Sequence, residues 1–288
     1  AKLMKTNLRG CRLDGADLTN ALAGEADFTA ASLRGAKLPR GIFQKAKFIG
    51  ADFTGSDVTK AVMTEADLSR ADLRDALLNK TLFEKALLKE TKLTGAAAGQ
   101  AYFISADAAG ASFAGADLTK AIFQQTTLDG ADFSGATAAK VLFVASGGKN
   151  VDFTGADLFN VRILNGSAFP DGIFHHAKAH KAAWMNSDLA GSDFTGLEIK
   201  RGLIQECGLA GANLAGVSAR EARFTKSDLS DANCRGMKMF QGSLRKSKLV
   251  RTDLRNAYLY GVEFFRTGVG ETKFDGANLK MTKLHKRT

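Results

Sequence analysis

The feature that most limits what this chain can fold into is a strict five-residue period. Stepping by five from Leu3 meets Leu8, Leu13, Leu18, Ala23, Phe28, Leu33, Leu38, Phe43, Phe48 and Phe53, and the series runs to Ile163 with only Gly148 out of character. One residue is inserted near 164–166, and the series resumes at Phe169 and continues to Leu284. There are 57 such pentads, and 17 of the 20 Phe lie on their centres, leaving only Phe159, Phe240 and Phe265 elsewhere. Two residues before the centre, all but Leu197 and Met237 are Ala, Gly, Ser, Thr, Cys or Val. Amphipathic helices need a spacing near 3.6 and half-buried strands one of 2. A period of five fits neither. It fits a chain that turns a corner every five residues and sends one large and one small side chain inward each time.

The units Ala16-Asp17-Leu18-Thr19, Ala51-Asp52-Phe53-Thr54-Gly55, Ala131-Asp132-Phe133-Ser134-Gly135 and Ala212-Asn213-Leu214-Ala215-Gly216 resemble the A-(D/N)-(L/F)-x-x signature of pentapeptide-repeat proteins, and the resemblance covers essentially the whole chain. It implies an all-β fold, a right-handed quadrilateral β-helix with four pentads per coil and about 14 coils in all. At the spacing of paired strands the coils would stack over roughly 65 Å, each depending on its neighbours. The expected organisation is a single solenoid over 1–288: a first phase block 1–163, a slip or bulge at 164–168, and a second block 169–288. Residues 20 apart should stack, giving Phe ladders such as Phe83, Phe103, Phe123, Phe143 and Phe113, Phe133, Phe153. A core filled in this way leaves no interior cavity for a cofactor, and none is expected.

Function must then lie on the outward positions. Over the first block, three of the four columns just before the centres are mainly polar, one reading Arg12, Ser32, Asp52, Asp72, Lys92, Ser112, Asp132. The fourth reads Leu22, Ile42, Val62, Leu82, Tyr102, Ile122, Leu142, with Ile104, Val144 and Leu164 widening it. Seven rungs span roughly 29 Å, an outward apolar area larger than monomers usually expose. Such a face either packs against another part of the same polypeptide or serves as a docking or self-association surface. Carried across the slip, the same face turns basic, with Arg223, Lys226, Arg245, Lys246, Arg266, Lys283 and Lys286 and the single acid Glu263. Residues 200–288 hold 18 Lys and Arg against 8 Asp and Glu, so the chain's net charge of +10 equals that of its last third. A clustered basic stripe attracts acidic proteins, nucleic acid or anionic lipid.

Signs of catalysis are scarce. Cys11, Cys207 and Cys234 are too sparse and too widely spaced for a disulfide framework or a zinc site, and all three fall on inward positions, reading as buried reduced thiols. His175, His176 and His180 cluster beside the slip without paired Cys or a fixed acid set, so no metal site is assigned. Most Asp follow the repeat schedule, and glycines fall mostly at the pentad corner, where a tight turn wants them. No apolar run approaches the ~18 residues of a membrane span.

Pentapeptide-repeat proteins include acidic rods that imitate duplex DNA and protect DNA gyrase; a chain of net charge +10 departs from that pattern. The expectation is a non-catalytic protein-docking or scaffold module acting through the apolar strip 22–142 and the basic stripe 223–286. Anion binding, to nucleic acid or a membrane surface, is the alternative, and DNA mimicry is the one the charge disfavours. The resemblance also suggests a bacterial setting, cytoplasmic or exported by a non-classical secretion system, as an accessory or effector protein whose repeats follow a separate domain. Ala1 and Leu284 are both in repeat phase, which points to a capping domain outside this sequence as one partner of the open coil ends.

Overall fold

The computed structural model of the protein describes residues 1–282. It is all-β, with no helix among the described residues, and it divides into two compact units, Ala1–Gly148 and Lys149–Thr288.

Within the first unit the outward residues from Lys2 to Thr127 bridge in parallel to the residue twenty further on, as in Lys2↔Leu22, Asn7↔Asp27, Arg12↔Ser32 and Asp17↔Lys37. Four such columns per twenty residues make a square coil. The centre donates its N–H up the stack (Phe43 to the Val62 carbonyl, 2.8 Å) and its own carbonyl closes the corner (Ala46 N–H to Phe43 C=O, 3.1 Å). The third residue of each corner turn has a positive φ, as a type II turn demands: Gly55 (φ 67) and Gly135 (φ 62), but also Lys60 (φ 59) and Glu65 (φ 56). Glycine is therefore favoured there without being required. Strands of three residues form on one wall only: β1 (Tyr102–Ile104), β2 (Ile122–Gln124) and β3 (Leu142–Val144). They pair in register, Phe103↔Phe123 and Phe123↔Phe143.

The interior is filled by the centres. Phe83, Phe103, Phe123 and Phe143 stack in one ladder with centroids 5.0, 4.6 and 5.0 Å apart, and Phe113 and Phe133 stack opposite at 4.7 Å. The ladders meet edge to face, Phe103 on Phe113 at 5.5 Å and Phe123 on Phe133 at 5.6 Å. Each ring is fully buried, a gain of roughly 1.5–3 kcal/mol apiece. Close packing explains the small residue before each centre: a Cβ on Gly41 would lie 2.3 Å from Cε2 of Phe43. Where that position carries a hydroxyl, most such hydroxyls donate to a carbonyl of the preceding coil, as Thr81 to Val58 (2.7 Å) and Thr91 to Leu68 (2.8 Å). Ser56 differs, since its buried Oγ has no partner among the described residues.

The second unit repeats the scheme with β4 (Arg162–Leu164), β5 (Ala183–Met185), β6 (Leu203–Gln205) and β7 (Arg223–Thr225). Its first bridges join residues 21 apart, Asp152↔Ile173 and Asp157↔Lys178, and from Ala168↔Asp188 onward the step is again 20. The extra residue sits in the corner Asn165–Gly166, both at positive φ (55 and 78). The Ser167 hydroxyl closes that corner on the Leu164 carbonyl at 2.8 Å. Phe153, Phe174 and Phe194 stack at 4.9 and 4.8 Å, and Trp184 lies 5.6 Å from Phe174. The slip is thus taken up by one longer turn, and the core beyond it keeps its register.

Candidate functional site

The repeat Asp residues are turn-closing groups. A carboxylate one place before the centre accepts the backbone N–H one place after it: Asp27 from Thr29 (2.9 Å), Asp132 from Ser134 (2.8 Å), Asp193 from Thr195 (2.9 Å). These are Asx turns, and they tie the acids to the fold. Asp253 is held hardest: the Arg255 side chain grips both of its oxygens (2.9 and 2.6 Å), and this pairing pulls its carboxyl down to about 2. Two of the thiols are inert in the opposite sense. Burial pushes Cys207 up to about 11 and Cys234 up to about 12, so neither supplies a thiolate nucleophile. Cys11, expected inside, is only half-buried. The histidines separate: His175 lies 2.9 Å from Asp193 and His180 lies 3.6 Å from Glu198. Among the described residues no cluster of His, Cys, Asp and Glu could hold a metal.

In the first unit the apolar column is continuous. Leu22, Ile42, Val62, Leu82, Tyr102, Ile122 and Leu142 bridge one to the next without interruption. Leu22, Ile42 and Tyr102 are exposed (40, 42 and 39%), while Val62, Leu82, Ile122 and Leu142 are half-buried by their neighbours in the column. Ile104 and Val144, also half-buried, widen it beside β1 and β3. At its first rungs the column borders a small hollow of about 200 Å³ formed with Met4, Gly24, Gln44 and Lys45. Exposed Leu77 and Leu87 stand on the other walls among Asp57, Asp67, Asp107 and Asp117. Isolated apolar residues of that kind are ordinary on a surface; an unbroken file of seven is not.

In the second unit Arg223, Lys226, Arg245, Lys246 and Arg266 are all exposed; Lys283 and Lys286 lie outside the described residues. The stripe is less uniformly basic than its sequence suggests. Lys226 reaches one coil back to Glu206 at 2.7 Å, and Arg245 reaches Glu263 at 3.3 Å. Arg245 and Arg266 also lie over the Phe265 ring at 5.1 and 5.2 Å. The stacking of like charges is thereby relieved in part from within the chain. Arg223 and Lys246 have no ion-pair partner among the described residues.

The remaining off-centre Phe residues follow the Phe265 pattern. Lys181 lies 5.6 Å over Phe159 and Arg220 lies 5.5 Å over Phe240, which itself stacks on Tyr260 at 5.5 Å. Each contributes about 0.5–1 kcal/mol at an exposed site. In the sequence these three Phe stand out only as exceptions to the period, and nothing there pairs them with cations. The signal that could have found the pairs is a basic residue about one coil away.

No curated protein sequence matches the chain. Among solved structures it is similar to a trypsin-treated variant of QnrB1, described as a plasmid-mediated fluoroquinolone resistance protein (16% identity, 67% of this chain and 91% of that one, TM-score 0.46). It is also similar to a pentapeptide repeat protein of the Arabidopsis thaliana thylakoid lumen (31% identity, 37% and 68%, TM-score 0.31). A third is HetL of the cyanobacterium Nostoc sp. strain PCC 7120, described as involved in heterocyst differentiation regulation (20% identity, 97% and 89%, TM-score 0.18). The family model for pentapeptide repeats matches in eight copies, over residues 1–23, 26–64, 66–98, 99–135 and 207–241. With more than half of its length matched, and with a square parallel coil built on those same pentads, the chain belongs to the pentapeptide-repeat family.

Proposed function

We propose that the protein is a non-catalytic docking module that binds a protein partner through the apolar file of its first unit. The observation that carries this reading is the unbroken column from Leu22 to Leu142 on a coil whose other three walls are mainly polar. Seven rungs at the strand-pair spacing cover roughly 29 Å, comparable to one side of a modest protein interface. A fully packed core on a rigid parallel ladder suits a surface that docks without rearranging. The repeat Asp residues are committed to turns, and Cys207 and Cys234 to the interior, so none of these supplies an activated group. Imitation of duplex DNA is not supported by a net charge of +10.

The test is a variant carrying Ile42→Asp, Leu82→Asp and Ile122→Asp. The tagged chain and this variant are compared for proteins retained from host extract, for self-association by analytical ultracentrifugation, and for melting. The variant is expected to lose the retained partner, whether another protein or a second copy, while melting within a few degrees of the parent. A control carrying Lys47→Asp and Lys92→Asp on two other walls should retain it. Equal retention by the apolar-file variant and the parent removes the reading.

A further inference from the structure

A second surface, independent of the apolar file, lies wholly within the second unit. Arg223, Thr225, Lys226, Arg245, Lys246 and Glu263 line a shallow, open concavity of about 500 Å³. Its chemistry is one-sided. Four cations face it from two consecutive coils, Arg223 and Lys226 on one and Arg245 and Lys246 on the next, against the one carboxylate of Glu263. Two of the four are internally satisfied, Lys226 by Glu206 and Arg245 by Glu263. Among the described residues nothing engages the side chains of Arg223 and Lys246, which keep their full donor capacity. Arg223 also borders an adjoining hollow in which Arg201 is already bound to Glu221 at 2.6 Å. The unengaged guanidinium of Arg223 therefore serves both the concavity and its neighbour.

The spacing selects the ligand class. Successive coils are ~4.8 Å apart and residues 223 and 226 are at most ~10 Å apart along one coil, so the four charges form a small grid instead of a point. A single carboxylate offers two oxygens and meets one guanidinium fork. A chain of phosphoryl groups carries a charge on each unit and several oxygens per unit, which suits two guanidinium forks, two ammonium groups and the Thr225 hydroxyl together. The volume falls in the range of small-molecule sites. We propose that this concavity binds a soluble oligophosphate or a small molecule bearing one, with Arg223 and Lys246 as the principal contacts and Arg245 exchanging Glu263 for the ligand.

The experiment is calorimetric titration of the full chain with inorganic phosphate, pyrophosphate and tripolyphosphate in 50 and 500 mM NaCl. Saturable 1:1 binding is expected, tighter with each added phosphoryl group and weaker in the higher salt. Arg223→Ala and Lys246→Ala should each weaken tripolyphosphate about tenfold. Arg223→Lys should recover only part of the loss, because an ammonium lacks the planar fork. Glu263→Gln, which frees Arg245, should tighten binding several-fold. Lys37→Ala with Lys47→Ala, two cations of the first unit, should change nothing. Circular dichroism melts verify that each variant is folded. Absence of saturable tripolyphosphate binding in 50 mM NaCl overturns the proposal, as does equal weakening by the first-unit pair, which would mean a general charge effect. Binding confined to a duplex oligonucleotide or to phosphatidic acid vesicles overturns it in favour of an extended anionic surface. Because the apolar-file variant leaves these residues untouched, failure here is separable from failure of the docking reading.

Discussion

Phe123→Ala is the substitution that tests the stacked core most directly. The Phe123 ring is fully buried and lies between Phe103 at 4.6 Å and Phe143 at 5.0 Å, both stacked, with Phe113 at 5.7 Å and Phe133 at 5.6 Å edge-on. Removing a buried Phe costs about 3–5 kcal/mol. Four ring contacts, each worth about 0.5–1.5 kcal/mol beyond area, place this site at about 4–5 kcal/mol. The rungs above and below cannot close in, since each is hydrogen-bonded to its own neighbours at fixed height. A coil stabilised by nearest neighbours loses stability locally, so the readout is amide hydrogen exchange resolved by residue. Amides of β1, β2 and β3 should lose most of the 4–5 kcal/mol, and those around Phe28 and Phe43 much less. The adjacent outward change Ile122→Ala, one residue away and half-buried, should cost only about 1 kcal/mol. A loss below about 1.5 kcal/mol at Phe123, or one no larger than at Ile122, would refute a core carried by stacked rings.

Two further outcomes follow from polar groups. Ser56→Ala should stabilise the chain by about 1 kcal/mol, because its buried hydroxyl is unpaired among the described residues and loses water for nothing. Ser192→Ala should cost about 1 kcal/mol, since that hydroxyl donates to the Phe169 carbonyl at 2.8 Å and accepts the Gly172 N–H at 3.2 Å; urea titration separates the two signs. With acid the melting temperature should fall between about pH 4 and pH 2 and stay level just above. The Asp253 carboxyl drops from its ordinary 3.8 to about 2 in the folded chain through Arg255. Asp17, Asp27 and Asp72 are lowered too, chiefly by hydrogen bonds from Thr19, Thr29 and Arg74. A carboxyl lowered by folding contributes stability above its unfolded value and loses it as pH falls through the folded one. A melting temperature that rises from pH 4 to pH 2 contradicts this.

The buried half of the molecule is written plainly in the sequence because its signal is periodic and has one solution. Once Phe83, Phe103 and Phe123 recur every twenty residues with small residues before them, their stacking leaves little to choose. The slip is equally visible, and the structure needs only Asn165 and Gly166 to absorb it. The outer surface is legible as columns but not as chemistry. Lys226 reads as one of a file of like charges until its side chain is seen crossing a coil to Glu206, a residue placed before the stripe begins. Phe265 reads as an exception to the period until Arg245 and Arg266 lie over it. Which exposed cations remain unengaged depends on rotamers across neighbouring coils, and that information is absent from any five-residue window.

The positive-φ corner recurs after every fifth residue, so each pentad is a quarter-turn with interchangeable joints. Insertions in this architecture therefore have a geometric grammar. Twenty added residues lengthen the coil and leave every wall as it was. One added residue, as at 165–166, can hide in a corner. Five would leave each buried centre with an equivalent seat yet rotate everything downstream by ninety degrees. Placed after Gly216, such an insertion would carry Arg223, Lys226, Arg245 and Lys246 together onto the next wall, preserving their mutual arrangement while changing the direction in which it faces.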